Sequence, residues 1–151
     1  MSIGVSLRKD MDGLELYGHY VYSYKLFPEG REQFSFSYDN TDAILYGGLV
    51  TNKSNKVWKL DPSSLNWIVL DFDTQSINVR SGHSGVLYQK RLYLFGGRSK
   101  IQNFYFIQDL EIFNLEERTW TSPNVFTKSS LTLRRNHVGL SVGNYFFYKK
   151  S

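Results

Sequence analysis

Cysteine is missing from all 151 residues of this chain, which excludes disulfides, thiol nucleophiles and every zinc site built on a thiolate. Proline is scarce, with three in all. No apolar run approaches the roughly 20 residues that a membrane-spanning helix needs, and the opening MSIGVSLRKDMDG lacks the apolar centre of a secretory signal. A cytoplasmic address is the expectation, one in which the sequon at Asn52-Lys53-Ser54 never meets the glycosylation machinery. No stretch keeps a 3.6-residue apolar period between caps, so almost no helix is expected.

Chemical motifs are missing too. Neither YGGLVTNKSN nor FGGRSKIQN has the spacing of a phosphate loop, and no helix follows either one. There is no G-x-S-x-G elbow. Asp71 and Asp73 in LDFDTQ stand without a partner motif and read as turn residues rather than a glycosidase pair. His19 has no second histidine at ligand spacing. The expectation is therefore no catalytic residue, no cofactor, no metal and no enzyme activity. Net charge is +4, but the basic pairs Arg98 and Lys100, Arg134 and Arg135, and Lys149 and Lys150 are scattered. No aromatic stripe runs between them, so neither nucleic acid nor a membrane is expected as a partner.

What the chain does have is aromatic side chains, 17% of it, with 11 Tyr, 11 Phe and 3 Trp, together with 12 Gly. Tyr and Phe suit the half-buried surface of a pleated strand, and glycine suits the turns between strands. These residues are arranged in a repeat. REQFSFSYDNTDAILYGG lies over RSGHSGVLYQKRLYLFGG without a gap, Arg31 on Arg80 and Gly47-Gly48 on Gly96-Gly97, at an offset of 49. Beyond the glycines, KVWKLDPSSLNW ends at Trp67 and DLEIFNLEERTW ends at Trp120, with Val57 matching Leu110 and Asp61 matching Asn114. The second copy carries four extra residues between its glycine pair and this segment.

A third copy opens at RRNHVGLSVGNYFFYKK. It repeats the R-x-x-H of Arg80 and His83 at Arg134 and His137, sets Tyr145 to Tyr148 over LYLF, and has Lys149-Lys150 in the place of the glycine pair. At the front, DGLELYGHYVYSY spaces Tyr17 and Tyr24 as Phe113 and Trp120 are spaced, the back half of a preceding unit. The units run 1–30, 31–79, 80–133 and 134–151. Each full unit is expected to form four short strands bounded by turns such as Tyr38-Asp39-Asn40 and Asp61-Pro62-Ser63-Ser64.

The apolar run closed by Gly-Gly, the later Trp and the period near 50 residues resemble the kelch family. The G-H and W-D signatures of WD40 repeats are not found at their spacing. The resemblance implies an all-β fold of kelch-type β-propeller blades, each of four antiparallel strands, in an incomplete ring of about three blades' worth, where propellers have four to eight. It assigns Gly47, Gly48, Gly96, Gly97, Trp67, Trp120, Arg31, Arg80, Arg134, His83 and His137 to blade architecture. The arginines would pair with local carboxylates or stack on aromatics, or else face an acidic partner. Kelch-like oxidases require a cysteine, which this chain lacks.

The function that follows is non-catalytic protein–protein interaction, as an adaptor or scaffold that binds through inter-strand loops. The loops after the glycine pairs supply the candidates: Lys53 and Asn55 in the first, and Arg98, Lys100, Gln102, Asn103, Phe104 and Tyr105 in the second. Phe104 to Phe106 would be an aromatic anchor or the start of the third strand. The alternative is a structural subunit of a large, for example cytoskeletal, assembly whose partners cover the open blade faces. Those partners would be other proteins, or further blades from a longer chain or another subunit.

Overall fold

A computed structural model of the chain describes residues 27–49, 56–70, 79–99, 109–124, 135–143 and 145–149, and the backbone of residues 2–10 and 13–21. Strands β1 (Ser2–Asp10) and β2 (Gly13–Val21) form an antiparallel hairpin with Asp10 opposite Gly13. Strands β3 (Ser35–Tyr38), β4 (Ala43–Tyr46), β5 (Val57–Asp61) and β6 (Asn66–Val69) then form one four-stranded antiparallel sheet in that order. After the short β7 (Arg80–Ser81), a second such sheet follows the order β8 (Ser84–Tyr88), β9 (Arg91–Phe95), β11 (Leu110–Asn114) and β12 (Thr119–Thr121). Between them in sequence, β10 (Arg98–Ser99) pairs with β7. The hairpin of β13 (Val138–Val142) and β14 (Tyr145–Lys149) comes last. The protein is all-β, and no helix among the described residues is long and apolar enough to cross a membrane.

Local chemistry explains the turns. Asp61 accepts hydrogen bonds from the Ser63 backbone N–H at 2.9 Å and the Ser64 hydroxyl at 2.6 Å. Asn114, its counterpart, accepts from the backbone N–H groups of Glu116 at 3.0 Å and Glu117 at 3.2 Å. Asp39 does the same for Thr41 and Asp42. Such short side chains mimic a backbone turn, which reverses the strand at the matching place in each sheet.

Side chains alternate across a strand, so each sheet has two faces. One face of the first sheet gives Ile44, Tyr46 and Val57 to a buried core, and the facing side of the second gives Leu87, Leu92, Leu94 and Phe113. Trp120 packs on that core, its ring 5.2 Å from Tyr46 and 4.8 Å from Phe113. Trp67 lies on the opposite face of the first sheet, against Leu45, Trp58 and Val69. The far face of the second sheet is covered by β14, with Phe146 at 4.5 Å from Tyr93 and Tyr148 at 4.8 Å from Phe95. The sheets thus stack as successive blades, and among the described residues they close no ring.

One alignment shifts. Val142 pairs with Tyr145 as Tyr88 pairs with Arg91, so Tyr145 matches Arg91 and the run over LYLF is Phe146 to Lys149. Lys149 takes the place of Phe95, not of a glycine. Inter-strand pairing sets this register, and the apolar run alone does not reveal it.

Candidate functional site

The recurring residues converge where one blade's first segment meets the glycine pair of the blade before it. Gly47 has φ of +66° and Gly97 of +91°, both in the left-handed region. A Cβ on Gly47 would stand 2.6 Å from the Arg80 carbonyl oxygen and from the His83 ring. The Gly48 N–H donates to that same Arg80 oxygen at 2.9 Å. Glycine is required here both by backbone conformation and by close approach. Gly48 and Gly96 also have positive φ.

His83 and His137 each link two blades. His83 Nε2 lies 2.9 Å from Ser35 Oγ, and His137 Nε2 lies 2.9 Å from Ser84 Oγ, all four residues being buried. Ser37 adds a hydrogen bond of 2.9 Å to the Gly85 carbonyl. Burial, reinforced by the Arg80 charge and by His137, pushes the His83 imidazole down to about 3, so its ring is neutral at physiological pH.

Arginine Arg80 is fully buried. Its Nη1 donates to the Gly96 carbonyl at 3.3 Å and to Asp109 Oδ1 at 3.1 Å, while Nη2 stands 2.6 Å from Glu111 Oε2. That last contact is close but out of line for a hydrogen bond. Burial, helped by the neighbouring Asp109 charge, outweighs the attraction of Arg80 and raises the Glu111 carboxyl to about 6. Arg31 is seated alike, with Nη1 donating to the Gly47 carbonyl at 3.1 Å. Its acids are gone. Tyr46 pairs with Val57 as Phe95 pairs with Leu110, so Lys56 and Trp58 hold the places of Asp109 and Glu111. Arg31 Nη2 is buried without a hydrogen-bond partner, and desolvation lowers the pKa of the guanidinium.

Another polar link crosses the same interface. Asp42, nearly buried, pairs with Lys59 of its own sheet and with Lys90 of the next. Burial works to raise its carboxyl, but the hydrogen bonds and charges of the two lysines hold it below the usual range. The sequence pattern alone does not single out Ser35, Ser84, Asp42 or Glu111. The two serines had a signal: each sits four positions after the repeated arginine.

Of the loop candidates, Arg98 lies half-buried in β10, opposite Ser81. Lys53, Asn55, Lys100, Gln102, Asn103, Phe104 and Tyr105 lie outside the described residues, as do Arg134, Asp71 and Asp73. Among the described residues no group of three or more His, Asp or Glu is placed to hold a metal ion.

A different surface stands out. Val138, Leu140, Val142, Tyr145 and Phe147 are all exposed and alternate onto the face of the β13–β14 hairpin that points away from the second sheet. In the second sheet the same face, with Tyr93 and Phe95, is covered by Phe146 and Tyr148. A family model described as the KLHDC2/KLHL20/DRC7 Kelch-repeats domain matches residues 19–149.

Proposed function

This chain belongs to the kelch-repeat family, whose domains generally mediate protein–protein interaction, and on that premise we propose that it acts as a non-catalytic adaptor or scaffold. The observation that carries the reading is how the recurring polar residues are used. Arg80, His83 and His137 hydrogen-bond within or between blades, which makes them supports of a scaffold. Binding is then left to the segments that differ between units, because a rigid framework presents such loops without needing them. The segment with Lys53 and Asn55 and the one that runs from Arg98 at the start of β10 through Lys100, Gln102, Asn103, Phe104 and Tyr105 are the proposed contacts.

A second reading, a subunit of a larger assembly, is favoured by the exposed apolar face of β13 and β14, since contiguous apolar patches mark interaction sites. The two are separated by affinity co-purification with two variants. Alanine at Arg98, Lys100, Phe104 and Tyr105 strips the partners if the loops bind them. Aspartate at Leu140 and Phe147 strips them if the open face does. Partners that survive both variants would overturn the proposal.

A further inference from the structure

The first sheet turns a partly covered face away from the second. Phe36 pairs with Leu45, Leu45 with Trp58 and Trp58 with Val69, so these four share that face. Leu45, Trp58 and Val69 are 7%, 4% and 9% exposed, whereas Phe36 is 52% exposed. Among the described residues, the cluster of Leu45, Trp58, Val69 and Trp67 draws only on its own sheet, and a sheet does not bury its own face. A cover therefore lies over β4, β5 and β6 and stops short of β3.

The hairpin of β1 and β2 has the pattern of such a cover. In its register Ile3 lies opposite Tyr20, Val5 opposite Gly18, Leu7 opposite Leu16 and Lys9 opposite Leu14. Opposite residues share a face, so apart from Lys9 this face is apolar. The other carries Ser2, Ser6, Arg8, Asp10, Glu15 and His19. A two-stranded ribbon is at best marginal alone in water, and an apolar face gives it a surface to pack.

The repeat gives the side on which it packs. DGLELYG lies over QDLEIFN with Leu14 on Leu110 and Leu16 on Ile112. Ile112 is opposite Tyr93, and Tyr93 packs on Phe146 of the hairpin that follows. That face of a unit meets the next unit along the chain. For β2, the next unit is the first sheet.

We infer that the β1–β2 hairpin docks its apolar face on Leu45, Trp58 and Val69, a half-width blade packed on the first sheet. The inference goes beyond the adaptor reading and does not depend on it. It removes this face from the surface open to partners and leaves Phe36 at the margin of the contact.

The absence of cysteine makes single introduced thiols a direct probe in the whole chain. Leu16→Cys and Ser6→Cys place one thiol on either face of the hairpin. Labelling by iodoacetamide is expected to be about tenfold or more slower for Leu16→Cys, because a packed face must open before it reacts. Adding Val69→Asp puts a charge under the hairpin and is expected to remove most of that protection. Adding Ile68→Asp instead, at an exposed neighbour on the opposite face of the sheet, is expected to leave it.

Far-ultraviolet circular dichroism checks that each variant folds, and Val69→Ser replaces Val69→Asp if the charge unfolds the chain. Equal labelling rates for the two single thiols overturn the inference, because the apolar face is then open. Protection that survives the Val69 change in a folded chain overturns it too, since the hairpin then packs elsewhere. So does an equal loss with Ile68→Asp, which would mean general destabilisation rather than a lost contact.

Discussion

The imidazole of His83 reaches back 48 residues to the hydroxyl of Ser35, 2.9 Å away in a buried site. Ser35→Ala removes one partner and leaves a buried ring nitrogen unpaired, at a cost of about 1–3 kcal/mol. Ser84→Ala does the same to His137. The two bonds belong to different interfaces, so the double variant is expected to lose the sum of the two single losses, as distant sites do. Urea unfolding measures all three. A Ser35→Ala variant as stable as wild type would show that the bond contributes nothing.

Acid acts on two buried groups with opposite sign. His83 titrates at about 3 in the fold against roughly 6.5 in the unfolded chain. The unfolded state therefore binds the proton first, and the His83 contribution is complete above about pH 6.5 and lost as pH falls toward 3. Glu111 titrates at about 6 in the fold against roughly 4.3 unfolded. The folded state holds that proton longer, so its contribution falls as pH rises through this window. Between about pH 4.5 and 6 the two partly cancel. Glu111→Gln removes the opposing part, and unfolding midpoints should then rise more steeply with pH than in wild type. An unchanged slope would count against the raised Glu111 value.

Gly47 combines a φ of +66° with a backbone oxygen 2.6 Å from where a Cβ would sit. Alanine there meets both the left-handed penalty and a contact that only a shift of the next blade relieves. Gly47→Ala is expected to lower stability by about 2–4 kcal/mol, read as a fall in the thermal midpoint. A loss below about 1 kcal/mol would mean that the two blades move apart at little cost.

Arg31 has the seat of Arg80 but not its acids. Lys56→Asp puts a carboxylate where Asp109 stands in the next unit, at an exposed position. The expected gain is about 0.2–1 kcal/mol, as for a surface pair, offset in part by loss of the Lys56 ammonium 6.0 Å over the Trp58 ring. The gain should shrink as salt is raised. Destabilisation at low salt would show that the two Arg sites are not equivalent.

Much of this architecture is legible in the residues. Gly47-Gly48 and Gly96-Gly97, Asp61 and Asn114, and the paired Trp67 and Trp120 mark turns and strand ends by local rules, so four strands per unit follow without a structure. The acid at Arg80 is not legible in this way. Asp109 lies 29 residues on, beyond the insertion that distinguishes the two units, and its counterpart at Arg31 is a lysine. In the sequence alone Lys149 falls against a glycine, because an apolar run can slide by one residue until its partner strand fixes it.

The sequence by itself determined the period, the strand count per unit and the positions where only glycine or a turn-forming side chain serves, because conformational preference resides within a few residues. Only the tertiary structure decided which face of each strand meets a neighbour. It made Ser35 the partner of His83, fixed Arg80 on Glu111, and left Val138 and Phe36 facing outward. Burial and hydrogen bonding belong to pairs of groups far apart in the chain, and such pairs exist only once the blades are stacked.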